Sequence, residues 1–317
     1  MPSSGPGDDR RQAGAAAAEQ AFAGGGALAL ELGARRSLHP AVAASIRVAK
    51  VPVAFVSLVV ILGLIVIAVG APWFAPYDQF ETTRNTFQAP SLDHLAGTDE
   101  VGRDQLARLI YGARVSLYVG IIAVAVGVGA GSIVGLVSGF VGGVFDLVVQ
   151  RVVDALLAFP GIVLAMALVS VFGTNTTNAL LAIAIVIAPA TSRVIRSSTL
   201  SEKERVYVEA AAAVGASPLR VMLRHVVPNI FAPVLILATT FLGAAILIEA
   251  GLSFLGLATQ PPSPSWGLML ATSGRQYMEF APWLAVVPGA AISVTVLCFN
   301  LLGDVVRDVL DPRLRSS

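Results

Sequence analysis

The chain has 317 residues, of which 56% are hydrophobic and 13% are charged, and its mean hydropathy is +0.78. Soluble domains carry about twice this share of charged residues, so the composition predicts a protein that folds in lipid. The net charge of +1 gives no basic field for nucleic acid. A single cysteine, Cys298, excludes a disulfide within the chain.

The N-terminal region, residues 1–46, is rich in alanine and glycine with scattered charges. It has no apolar block of the length that a signal peptide requires. We therefore expect a disordered cytoplasmic tail.

Stretches without Asp, Glu, Lys or Arg mark the membrane spans, because crossing a bilayer takes about 20 mostly apolar residues. One stretch is long enough for two helices, and a polar turn-forming cluster at residues 172–178 divides it. The sequence therefore predicts an all-α, polytopic membrane protein with six transmembrane helices. The stretches are 51–77, 115–145, 155–192 (two helices), 225–248 and 280–303.

Lysine and arginine placement predicts the orientation, because these residues concentrate on the cytoplasmic side. With the N-terminus inside, 16 of the 21 fall in cytoplasmic segments and four in outside segments. We expect a multi-pass cell-membrane protein with both termini in the cytoplasm. The predicted regions are a first helix with an extracytoplasmic loop (47–113), a five-helix core (114–304) with a cytoplasmic loop (193–228), and a cytoplasmic C-terminal tail (305–317).

The second span carries glycine at every fourth position, which leaves one helix face nearly bare of side chains. Such a face lets another helix approach to backbone contact. The pattern predicts close helix packing, with the partner helix either in this chain or in another. The glycines are Gly127, Gly131, Gly135, Gly139 and Gly143.

The long cytoplasmic loop predicts two helices joined by a tight bend. Strong helix formers run from Glu202 to Val214, and Gly215 can end that helix. Ser217 can cap a second short helix, from Pro218 to about Val226. An exposed apolar and basic element of this kind suits docking in a groove of another protein. It equally suits lying on acidic lipid.

This loop resembles the EAA loop of ABC-importer permeases, in which Glu-Ala-Ala precedes a glycine and a more distant proline. His225 and Val227 depart from that pattern, which usually has a hydrophobic residue and leucine there. The resemblance implies a coupling helix that sits in a cleft of an ATPase subunit. The residues implied are Glu209, Ala210, Ala211, Gly215, Ser217, Pro218, Arg220 and Arg224, followed by Pro228.

Four further segments are similar to the C-type subunit of the dipeptide/oligopeptide (and nickel) permease family: 74–80, 94–117, 246–270 and 288–315. The turn His94-Leu95-Ala96-Gly97 departs from the usual His-Pro-Leu-Gly. The resemblance implies the type I ABC importer permease fold and half of a translocation pathway for dipeptides or oligopeptides. It also implies three kinds of partner, namely a homologous B-type permease, ABC ATPase subunits that bind ATP and Mg, and an extracytoplasmic substrate-binding protein.

Other functions stay open at this point. Relatives in this family also move nickel chelates, glutathione or haem, and a membrane scaffold or receptor without transport is an alternative of a different class. A secondary transporter would need buried ionisable residues for ion coupling, and the spans contain almost none.

Glu249 stands at the outer end of the fifth predicted span, where a carboxylate needs a partner or water. It could line the substrate pathway, or it could pair with an arginine such as Arg103 or Arg275. Asp146, Arg151 and Asp154 lie close together in sequence, between the second and third predicted spans, and we expect them to be solvated loop charges.

The sequence shows no catalytic constellation. Neither lysine, Lys50 or Lys203, follows the glycine of a P-loop. The three histidines are far apart and lack the ligand spacing of a zinc site. We expect a non-catalytic subunit that holds no metal and no cofactor.

Overall fold

The computed structural model describes residues 51–310. Within this range the secondary structure is helical, with one isolated bridge between Thr98 and Asp104. The predicted tail at 1–46 and the last residues of the predicted C-terminal tail, 311–317, lie outside the described residues. The prediction of an all-helical membrane protein is confirmed.

The helices follow in chain order. They are α1 (Pro52–Val69), α2 (Ala71–Phe74), α3 (Gln105–Val141), α4 (Gly143–Leu157), α5 (Gly161–Phe172), α6 (Thr176–Lys203), α7 (Val206–Ala213), α8 (Pro218–Val221), α9 (Val227–Phe254), α10 (Trp266–Met269) and α11 (Trp283–Leu310). Wide π turns at Met222–Val226 and Leu270–Gly274 follow α8 and α10. Helix α11 continues past residue 304, where the sequence placed the start of the tail.

Five helices are long and apolar enough to cross a membrane: α1, α3, α6, the continuous run from α8 through α9, and α11. The pair α4 and α5 supplies a sixth span only if it is counted as one, since the two helices meet at 94°. The sequence placed this span between residue 155 and the polar cluster at 172–178, whereas the structure has two helices that start at residue 143 and are divided at residues 158–160. Pro160 is the N-cap residue of α5. The break falls just before it, because the residue that precedes a proline avoids helical geometry.

The contact between α3 and α6 brings two backbones together through the predicted glycine face. A Cβ on Gly127 would lie 2.7 Å from the carbonyl oxygen of Ala184, and one on Gly139 would lie 3.0 Å from that of Arg196. At Gly131 and Gly135 a Cβ would overlap the carbonyl oxygens of α6. The partner helix therefore lies in this chain.

Gly143 does not belong to this contact, and its inclusion in the glycine face is wrong. Helix α3 ends at Val141, and both Gly142 and Gly143 have positive φ angles, of 71° and 61°. No atom lies within 4 Å of a Cβ placed on Gly143. The residue begins α4 at the bend after α3, where glycine reaches the left-handed region without a Cβ clash.

Helix α3 lies at the centre of the bundle. One apolar cluster joins it to α5, α6 and α9, with Val124, Ile183 and Leu252 among its buried members. A second joins it to α1, α9, α10 and α11 around Leu117, Trp266 and Phe299. Large apolar side chains also cover the outside of the helices, as lipid solvation permits.

The bundle has two distinct ends. The loops 75–104 and 255–282 meet at one of them, the long-loop end, where the rings of Phe87 and Tyr277 lie 4.7 Å apart. The loop 204–217 lies at the other end, beside the last turns of α3 and α6. There the ammonium group of Lys203 donates to the carbonyl oxygen of Phe140 at 2.8 Å.

Changing Gly135 to alanine tests the α3–α6 contact. We expect a loss of about 1–3 kcal/mol in unfolding free energy, because a Cβ overlaps the backbone of Ser192. Gly129→Ala is the matched control on the same helix, since nothing lies within 4 Å of its Cβ position. Thermal unfolding of the purified protein in detergent measures both. Equal shifts for the two variants would contradict this packing.

Candidate functional site

The loop at residues 204–217 begins where helix α6 ends. The sequence predicted one helix from Glu202 to Val214, which is wrong at its start. Helix α6 runs to Lys203, and α7 starts at Val206 after a turn at residues 204–205. Arg205 has extended backbone angles and occupies the N-cap position of α7 without a side-chain capping bond. The chain therefore turns before the Glu-Ala-Ala segment is reached.

The bend after α7 has the predicted form. Gly215 has a φ of 87°, and its N–H donates to the carbonyl oxygen of Ala212 at 3.0 Å. The N–H of Ala216 donates to Ala211 at 3.1 Å, which closes the helix end. Ser217 then accepts from the N–H of Arg220 and caps α8.

The second loop helix is not short, contrary to the prediction. The run from Pro218 continues through the π turn into α9 and reaches Phe254 without a break. Pro228 lies in the first turn of α9, and the wide turn before it accommodates a residue with no N–H. Arg220 and Arg224 consequently lie on a helix that enters the membrane directly.

The loop surface is apolar with a charged margin. Val206 and Val214 are 81% and 85% exposed, and Leu219 and Leu223 are also exposed. The side chains of Glu209, Arg220 and Arg224 are exposed beside them. Exposed apolar side chains with charged residues in the same loop are typical of a protein-docking surface.

Tyr207 connects the loop to both adjoining spans, a role that no sequence pattern indicated. Its hydroxyl donates to the carboxylate of Glu202 at the end of α6 and accepts from Nδ2 of Asn229 at the start of α9, at 2.9 Å. Desolvation and then the hydrogen bond to Glu202 raise the pKa of Tyr207 to about 12, so the hydroxyl stays protonated at neutral pH. Asn229 is 22 residues away in sequence, so no local pattern indicates that hydrogen bond.

A polar junction joins α3, α4 and α6 just before the loop. The Nε of Arg196 donates to Asp146 at 2.6 Å, and the hydroxyl of Ser138 donates to the same carboxylate. Gln150 donates to that serine oxygen at 3.1 Å. Asp146 is buried, so its assignment as a solvated loop charge is wrong. Arg151 and Asp154 are exposed, as expected.

Glu249 lies near the other end of α9 and is fully buried. Its Oε1 accepts a hydrogen bond from Ser253 at 2.7 Å. The predicted pairing with an arginine is wrong, because Arg103 binds Asp99 at 2.6 Å and Arg275 is exposed. The carboxyl group reaches no open surface in this structure.

Comparison with known families defines the class of protein. Residues 127–316 match the family described as binding-protein-dependent transport system inner membrane component. Residues 44–90 match the N-terminal TM domain of oligopeptide transport permease C. The first match covers more than half of the chain. The chain therefore belongs to the permease subunits of ABC importers, and within them to the oligopeptide and dipeptide family.

Individual relatives agree with this assignment. The chain is 43% identical over 268 residues to the dipeptide transport system permease protein DppC of Alkalihalophilus pseudofirmus, which covers 84% of this chain and 88% of the relative. It is 42% identical over 255 residues to the glutathione transport system permease protein GsiD of Escherichia coli O6:K15:H31, covering 80% and 84%.

A solved structure supports the fold. The chain is similar to a subunit in the inward-facing MetNI methionine ABC transporter, with a TM-score of 0.50 and 18% identity. The match covers 64% of this chain and 97% of that one. The predicted type I importer permease fold is confirmed.

Changing Asp146 to asparagine tests the polar junction. We expect a loss of about 1–3 kcal/mol in unfolding free energy, because the charge-assisted bonds from Arg196 are lost in a buried site. Asp154→Asn is the matched control, since its pair with Arg193 is exposed and exposed pairs contribute at most about 1 kcal/mol. Chemical denaturation in detergent compares the two. A larger loss for Asp154→Asn would contradict the assignment.

Proposed function

We propose that this chain forms half of the translocation pathway of an importer for dipeptides or oligopeptides. The observation that carries the proposal is its 43% identity, over most of both chains, to a dipeptide permease. Similarity to a glutathione permease is nearly as high. Both names denote transport of short peptides, so we favour a short peptide over the nickel chelate and haem alternatives.

The EAA loop is proposed to dock in a cleft of an ABC ATPase. Its exposed apolar patch and the fixed geometry around Gly215 support this role. ATP and Mg would then be bound by the ATPase subunits, and this chain would be non-catalytic. The other proposed partners are a homologous B-type permease and an extracytoplasmic binding protein.

The orientation follows from this docking. The end with residues 204–217 would face the cytoplasm together with both termini, and the long-loop end would face the outside. The charge distribution in the sequence supports the same orientation.

The connections of the loop suggest how ATPase movement would reach the membrane. Helix α8 is continuous with α9, and Tyr207 links α7 to both α6 and α9. A displacement of the loop would therefore move two spans together as a rigid lever. Rigid movement of packed helices is a common means of switching a pathway between two states.

A membrane scaffold or receptor is the rival from another class. Co-purification with an ATP-hydrolysing partner separates the two, because a scaffold without transport needs no such partner. Uptake of labelled di-, tri- and longer peptides and of glutathione by the reconstituted complex would then define the solute. Absence of uptake for every peptide would overturn the proposed substrate class.

Gly215→Pro and Glu209→Lys test the coupling role. Proline fixes φ near −65°, which is incompatible with the φ of 87° at Gly215. Lysine reverses an exposed charge on the proposed docking surface. We expect peptide uptake per ATP hydrolysed to fall at least about tenfold, because the altered loop would no longer fit the cleft of the ATPase.

Gly215→Ala provides a graded control, since alanine reaches a positive φ at a cost of about 1–2 kcal/mol. Its effect should be intermediate. Membrane abundance of every variant is measured alongside uptake. Normal uptake by Gly215→Pro at normal abundance would contradict the proposed role of the loop in coupling to the ATPase.

A further inference from the structure

The buried carboxyl group of Glu249 has an unusual set of neighbours. Hydroxyl groups of Ser116, Ser253 and Ser265 flank it, and they come from α3, α9 and the residue before α10. Oε1 of Glu249 accepts from Ser253, and Oε2 is buried without a hydrogen-bond partner among the described residues. Among residues 51–310 no cationic side chain forms a salt bridge with this carboxylate. Serine hydroxyls are therefore the groups available to satisfy it.

Each of the three serines also accepts a backbone N–H from the segment 259–268. The N–H of Thr259 donates to Ser253 at 3.4 Å, and that of Trp266 donates to Ser116 at 3.4 Å. The N–H of Leu268 donates to Ser265 at 3.3 Å. These three bonds hold the backbone of the segment.

A hydroxyl group carries one proton and two lone pairs. Because each serine oxygen already accepts an amide N–H, its proton remains for donation to a further acceptor. The bond from Ser253 to Glu249 shows this arrangement directly. A carboxylate offers about four lone-pair sites and no proton, so it can accept from all three hydroxyls.

We propose that Glu249 is the common acceptor for these three serine hydroxyls and thereby positions the segment 259–268 against α3 and α9. Each relay runs from a backbone N–H through a serine hydroxyl to the carboxylate. Three donors also compensate the carboxylate for the loss of water in a buried site.

The segment is also closely packed around these hydrogen bonds. A Cβ on Gly267 would overlap the backbone of Ala250, one residue after Glu249. The indole N–H of Trp266 donates to the carbonyl oxygen of Leu109 at 3.0 Å, and Trp266 is fully buried. A small displacement of this segment would break these contacts together.

The segment leads directly to the surface of the long-loop end. After α10 the hydroxyl of Ser273 donates to Glu100, and Tyr277 packs on Phe87. Glu249 thus acts at a distance on the surface where the proposed binding protein would dock. The effect on docking of the binding protein rests on the proposed function, whereas the positioning of the segment 259–268 by Glu249 does not.

Glu249→Gln tests the positioning by hydrogen–deuterium exchange of the assembled complex in lipid nanodiscs. The carboxamide has the same shape but one acceptor oxygen and two added donors, so it cannot accept from all three serines. We expect exchange at the amides of Thr259, Trp266 and Leu268 to rise about tenfold, with the α3–α6 contact unchanged. Glu279→Gln is the matched control, because that side chain is exposed.

Ser253→Ala provides a milder variant that removes one relay. Faster exchange should then be confined to peptides that contain Thr259, with Trp266 and Leu268 unaffected. Unchanged exchange in Glu249→Gln would overturn the proposal, since it would mean that a neutral side chain serves equally well. A uniform rise that includes α3 and α6 would also overturn it, since the effect would then be global.

The functional part has a separate readout. In Glu249→Gln we expect a higher concentration of loaded binding protein for half-maximal stimulation of ATP hydrolysis, with basal hydrolysis unchanged. An unchanged half-maximal concentration would overturn the functional part. The exchange experiment does not depend on which solute is imported, so its result stands whether or not peptides are the substrate.

Discussion

The approach of α3 to α6 through a face without side chains is the contact on which the rest of the bundle depends. In lipid, helices gain nothing from hiding apolar surface from water, so van der Waals contact and hydrogen bonds must hold them together. Glycine at four successive turns lets the two backbones pack directly. Both apolar clusters then form around α3, which touches helices on its other sides.

Polar groups are concentrated where this close packing ends. At one end Asp146, Arg196 and Ser138 hold α4 against α3 and α6. At the other, Glu249 and its serines lie between α9, α3 and α10. Asp146 and Glu249 are both buried, and a buried carboxyl group needs hydrogen-bond donors in place of the water it has lost.

The two ends have different roles in the proposed transport cycle. The loop at 204–217 is exposed and linked rigidly to two spans, which suits transmission of movement from an ATPase. The long-loop end is tied together by buried polar bonds and aromatic contacts, which suits a stable platform for a docked protein. The bent pair α4 and α5 lies between them and is anchored to α6 through Arg196.

The sequence by itself determined the membrane class, the approximate spans, the glycine face and the bend at Gly215, because each depends on local composition or on one period of a helix. Family resemblance added the permease assignment. Only the tertiary structure decided that Asp146 is buried, that Gly143 lies outside the α3–α6 contact, and that Tyr207 connects the loop to two spans. It also decided that Glu249 meets serines rather than an arginine. These outcomes depend on how the helices pack and on which side chains that packing brings together, and no local pattern encodes that choice.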